Sequence, residues 1–163
     1  MPGFTALVVR PVIDHPVDTP DHPEHKCLIL PTDPDVQADW LHDEVGGITE
    51  AAAWHRSLTI HVHDNGQNFP LEPNAVLWTL ASVWRGQPLD YLLSGAGVIT
   101  GPERADRKAY EELPPQLAEQ TLKAVDAATD WWIEHDYNLP IWAHDPTLAA
   151  FRDAIVHTRR ALY

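Results

Sequence analysis

The chain has 163 residues, 44% of them hydrophobic, and carries a formal net charge of −13 at pH 7. That length suits one domain of ordinary size, and that apolar share supplies a core, which argues against wholesale disorder. Its single cysteine, Cys27, forms no internal disulfide, and no run approaches the roughly 20 apolar residues of a membrane-spanning helix. Phe4 to Val9 is too short for a signal-peptide core and lacks a basic flank, so a cytoplasmic protein is expected. The charge is also concentrated, with ten acids between Asp14 and Glu50 against one base, Lys26. A field of that sign repels a phosphate backbone, and direct nucleic-acid binding is not expected.

Phe4 to Arg10 (FTALVVR) reads as an opening strand stopped by Pro11. Residues 11–25 hold four prolines and many acids, a composition that predicts an exposed loop. Lys26 to Leu30 is a second short strand, so the loop joins a long hairpin. Asp33-Pro34 predicts a helix start, with Asp33 as cap and Pro34 in the first turn. That helix runs to about Val45, with Val36, Trp40, Leu41 and Val45 on its inner side, and Gly46-Gly47 ends it.

Ile48 to Trp54 follows, then Leu58 to Asp64, where Leu58, Ile60 and Val62 alternate with Thr59, His61 and His63. The alternation predicts a strand with the first set facing the core and the second facing out. Asn65-Gly66 is a hairpin signal, with Gln67 to Leu71 returning antiparallel. Asn74 caps a predicted helix over Ala75–Arg85 that is apolar nearly all round and hence buried, and Gly86 stops it. Tyr91 to Thr100 reads as a last strand or strand pair, with Gly95 and Gly97 permitting a bulge or a close backbone approach.

Pro114 to about His135 is a long helix with Ala118, Leu122, Val125, Ala128 and Trp132 in one stripe; with Trp131 beside Trp132, one of the two rings is expected near the surface. Asp145-Pro146 opens a final helix with Leu148, Phe151, Ile155 and Leu162 at helical spacing. The expected fold is therefore α+β: a mostly antiparallel sheet with helices packed on one face and a C-terminal helical hairpin. Residues 1–103 would form the α+β part and residues 104–163 a helical extension packed on it.

Five stretches in this order carry a resemblance: ALVVRP, VGG, HVHDNG, FPLEPN and LDYLLSGAGVITG. Over residues 4–103 the chain resembles the domain-of-unknown-function family 3846, small proteins typical of phages, plasmids and other mobile elements. The shared positions fall on Ala6–Pro11, Val45–Ile48, Asn65–Gly66, Leu71–Asn74 and Asp90–Gly101. The chain departs from the family in its acidic 11–25 insertion and in having Ala75 where an Arg commonly follows the Asn. The resemblance implies a mobile-element origin and no established activity. It also directs attention to Asn74 and Asp90 as candidate positions on a functional face.

Three local patterns invite a chemical reading. His61-x-His63-Asp64 places alternating imidazoles on one strand, as a metal site would, and superficially resembles the HxHxDH motif of metallo-β-lactamase-like hydrolases. Asp64 arrives one position early and Asn65-Gly66 closes a turn, so two strand residues facing solvent are the plainer reading. His22-x-x-His25-x-Cys27 has zinc-ligand types, but no second CxxC or HxxxH supplies the remaining ligands. Gly95-Ala96-Gly97 with Gly101 lacks the immediate helix that a phosphate-cradling loop requires. No serine-hydrolase elbow, HExxH or Walker sequence is present, and no cofactor is implied.

Three functions stay open. The first is a non-catalytic accessory protein that binds a macromolecular partner through its acidic surface, in its sharpest form a mimic of DNA phosphates acting as a host-defence inhibitor. The second is a binder or sponge for a nucleotide-like ligand, for which Arg104 and Arg107 are the best-placed cations beside Asn74 and Asp90. The third, ranked last, is a metal-dependent hydrolase using His61, His63 and Asp64. A homo-oligomer is compatible with all three.

Overall fold

The computed structural model describes residues 5–10, 26–64, 74–86, 89, 93–106, 108–134 and 149–162. Along them run β1 (Thr5–Val9), β2 (Lys26–Ile29), α1 (Pro34–Val45), β3 (Thr49–His55), β4 (Leu58–His63), α2 (Ala75–Arg85), β5 (Gly97–Thr100), α3 (Pro115–Glu134) and α4 (Ala149–Leu162). The loop 11–25, the Asn65-Gly66 turn and the start of the final helix lie outside the described residues.

Five strands form one sheet in the order β2-β1-β5-β4-β3, every pair antiparallel. β1 and β2 pair as the expected hairpin, with Thr5 opposite Ile29 and Val8 opposite Lys26. β5 slots between β1 and β4, so the sheet closes only when the chain beyond α2 returns.

The sequence Ala6-Leu7-Val8-Val9 is apolar at every position, and a strand of that kind needs cover on both faces. Leu7 and Val9 join Leu58, Ile60, Val62 and Ile99 in a core beneath α2, α3 and α4. Ala6, Val8 and Val98 meet Leu30, Leu41 and Val45 on the other side, where α1 lies. The α+β class, the antiparallel sheet and the C-terminal helix pair are as expected. The expected one-sided helix layer is not: α1 covers the second face.

That second layer also overturns the outward placement of Thr59 and His61, which are only 4% and 1% exposed. α1 inverts one local expectation as well, since Val36 is 55% exposed while Gln37 is buried. Gln37 turns inward because its Nε2 donates to the carbonyls of Pro31 and Tyr110 while its Oε1 accepts from the Tyr110 amide.

The predicted caps hold. Asp33 accepts from the amides of Asp35 and Val36 at 3.0 and 3.1 Å, and Gly46 takes a left-handed φ of 90°. α2 is buried along its length, and its hydroxyls are satisfied within the helix: Thr79 donates to the Ala75 carbonyl and Ser82 to that of Trp78. The Trp132 indole N–H reaches Thr79 Oγ1 at 2.9 Å and so stitches α3 to α2. α3 packs against both α2 and α4. Two adjacent sides of that helix are therefore covered, and Trp131 and Trp132 are both buried in a T-shaped pair instead of one ring lying near the surface. Among the described residues, no helix is long and apolar enough to cross a membrane.

Candidate functional site

Asn74 sits at the junction of β1, α2 and the segment before β5, fully buried. Its Nδ2 donates to the carbonyls of Val9 and Gly95 at 3.1 and 2.9 Å, and its Oδ1 accepts from the Leu77 amide at 3.0 Å. Both side-chain donors are engaged, so the residue acts as an internal staple with nothing left to donate to a ligand. Asp90 and Arg107 lie outside the described residues.

Arg104 belongs to an excursion after β5 that folds back on itself. Gly101 donates to the Glu111 carbonyl, Glu111 to that of Pro102, and Arg104 to that of Ala109. Its guanidinium donates to the Thr32 carbonyl at 2.8 Å, which ties the excursion to the chain just ahead of α1. Gly101 is required there because a Cβ would run into the backbone carbonyl of Glu112. Arg104 and Asn74 share no described hydrogen-bond partner and do not converge.

The excursion delivers Tyr110 onto His61, edge to face, with ring centroids 4.4 Å apart. His61 Nε2 lies 2.8 Å from Thr100 Oγ1, and that hydroxyl is also within 3.0 Å of the Gly101 carbonyl. One hydrogen bond joins the ring to the hydroxyl, its direction set by the imidazole tautomer. Burial holds the His61 pKa down at about 4, so the ring is neutral at physiological pH. Tyr110 is pushed up by burial and then by Glu103, and stays a neutral phenol.

A hydroxyl beside an imidazole is the geometry of an activated nucleophile. Here both groups are enclosed and hydrogen-bonded, so the pair serves as a satisfied polar core. His63 is closed in differently. Its ring lies over Gly47, where a Cβ would come within 2.5 Å of Nε2, and its Nδ1 is 3.5 Å from Asp64 Oδ1. Among the described residues no three His, Cys, Asp or Glu side chains gather as a metal would require. His22 and His25 lie outside the described residues.

What remains on the surface is charge. Asp35, Asp39 and Asp43 are all exposed and recur every fourth residue, which sets them along one crest of α1 with a rise of about 6 Å between them. Asp33 is exposed at the start of that helix, Glu50 is exposed in β3, and Val36 stands on the shoulder of the crest. The far side of the molecule differs: α4 exposes Val156, His157, Arg159 and Arg160. Counting acids finds the first face; the second, built from two arginines in a last helical turn, escapes because the chain as a whole is so acidic. No protein-family model, curated protein or solved structure matches the chain.

Proposed function

We propose that the protein is a non-catalytic, cytoplasmic accessory protein of a phage or other mobile element that binds a basic macromolecular partner through the outer face of α1. The observation that carries this reading is the crest of Asp35, Asp39 and Asp43, three exposed carboxylates in register on a helix with no Lys or Arg. The enclosed His61–Thr100 pair and the fully engaged Asn74 weigh against catalysis and against a ligand site at those positions. A partner surface evolved for phosphate, such as the DNA-contacting face of a host-defence nuclease, matches such a crest in sign.

The test is affinity capture from a related host with the wild-type chain and with Asp35→Asn/Asp39→Asn/Asp43→Asn, followed by a salt titration of the captured complex. Carboxylate recognition predicts a partner that the triple variant loses and that salt releases steeply. A partner held equally by both chains and indifferent to salt would remove α1 from the account.

A further inference from the structure

Two exposed helix faces on opposite sides of the sheet are built to one pattern with opposite signs. On α1, Val36 is 55% exposed and stands three and seven residues before Asp39 and Asp43, so the valine and the carboxylates share a face. On α4, Val156 is 44% exposed and stands three and four residues before Arg159 and Arg160, again on one face. The sequence of α1 holds four acids and no Lys or Arg, whereas that of α4 holds three arginines against one acid. Such a pair of faces fits an aliphatic contact flanked by ion pairs.

We propose that this pair is an interface between copies of the chain, the α1 crest of one copy docking on the α4 face of the next. Within one molecule the faces cannot meet. α1 packs on the Ala6–Val8–Val98 side of the sheet, while α4 packs on α2 and α3 beyond the other side. The same separation excludes a closed twofold dimer in which both pairs form together. The contact is head-to-tail, and it propagates as an open chain or closes as a ring.

The net charge of −13 opposes self-association at long range. At physiological ionic strength charges beyond about 8 Å are largely screened, so the local match decides the contact. Exposed ion pairs are individually weak, and the association belongs in the high-micromolar to millimolar range, on the order of 10⁻⁴–10⁻³ M. Because the same α1 face serves the partner proposed above, self-assembly and partner binding exclude one another. They remain separable by experiment, since one is read on the protein alone.

Sedimentation velocity and equilibrium of the intact chain over a wide concentration range provide the test. At an ionic strength of about 0.15 M the weight-average mass is expected to climb smoothly past twice the 18.3 kDa monomer, and salt of about 1 M returns it to monomer. Asp39→Arg/Asp43→Arg and Arg159→Glu/Arg160→Glu are each expected to weaken association at least about tenfold. An equimolar mixture of the two variants is expected to associate again, because the basic α1 of one meets the acidic α4 of the other. A wild-type chain that stays monomeric at about 0.15 M ionic strength overturns the proposal, and so does association that stops at a dimer. Folded variants whose mixture fails to reassociate also overturn it, and the salt response of the wild type stands independently of any variant. Self-association with failed partner capture would sink only the function proposed above; the reverse result would sink only this interface.

Discussion

The substitution His61→Gln should change how stability depends on pH far more than it changes stability at neutrality. The native imidazole is held at a pKa of about 4 by burial, against 6.5 for the ordinary side chain. As the pH falls below 6.5 the unfolded chain takes up a proton that the folded chain refuses, so the folded state loses ground. The loss continues until the folded chain also protonates near pH 4, and then stops. The slope is about 1.4 kcal/mol per pH unit, which over this window amounts to about 3 kcal/mol.

The physical reason lies in the surroundings of the ring. Nε2 is already hydrogen-bonded to Thr100 Oγ1, and the neighbouring Tyr110 is a neutral phenol. A glutamine amide in place of the imidazole offers Thr100 either a donor or an acceptor and carries no titratable group. Urea denaturation of both proteins at about pH 7 and about pH 4 gives the measurement, because carboxylate titration common to both chains cancels in the difference. At neutral pH the variant is expected to be less stable by about 1 kcal/mol, having lost the ring contact with Tyr110. At pH 4 the order should reverse, the gap having moved by about 3 kcal/mol. A gap that stays constant within about 0.5 kcal/mol would refute the claim that this histidine is buried and neutral.

Asn74→Ala should cost about 2–4 kcal/mol in denaturant unfolding, since it orphans the Val9 and Gly95 carbonyls and removes the α2 cap together; a loss under about 1 kcal/mol would mean that the staple is dispensable. Gly101→Ala should be worse than Gly47→Ala, because its methyl meets the fixed Glu112 carbonyl, whereas at Gly47 it meets the His63 ring. Thermal melts of both, and of Gly47→Ala combined with His63→Ala, check this: only the Gly47 defect, about 1–3 kcal/mol alone, should be relieved by removing a ring.

Local chemistry makes the helix ends legible. Asp33, Pro34 and Gly46 bound α1, and Asn74 and Gly86 bound α2, because caps depend on residues within one turn. The alternation along β4 also identifies which residues share a face. It is silent on what covers that face, and so it places Thr59 and His61 in solvent although α1 and the 101–111 excursion enclose them. The correcting signal is present in β1, whose unbroken Ala6-Leu7-Val8-Val9 run calls for two layers.

Gln37 is not legible locally. Its inward turn depends on Tyr110, 73 residues away, and the valine that precedes it is displaced to the surface as a result. The acidic crest follows from spacing alone, as Asp35, Asp39 and Asp43 repeat every fourth residue. The staple role of Asn74 beyond its cap needs the return of the chain into β5.

The Gln37 amide holds the backbone of Tyr110 as a neighbouring strand would, accepting from its N–H and donating to its carbonyl. The Tyr110 amide proton is therefore sheltered by a side chain of α1 and not by a ladder of its own. Anything that lifts or rotates that helix releases the proton to solvent, while anything that clamps the helix slows its exchange. One backbone resonance on the excursion thus serves as a native gauge of events on the opposite surface of α1, readable without a label or a substitution.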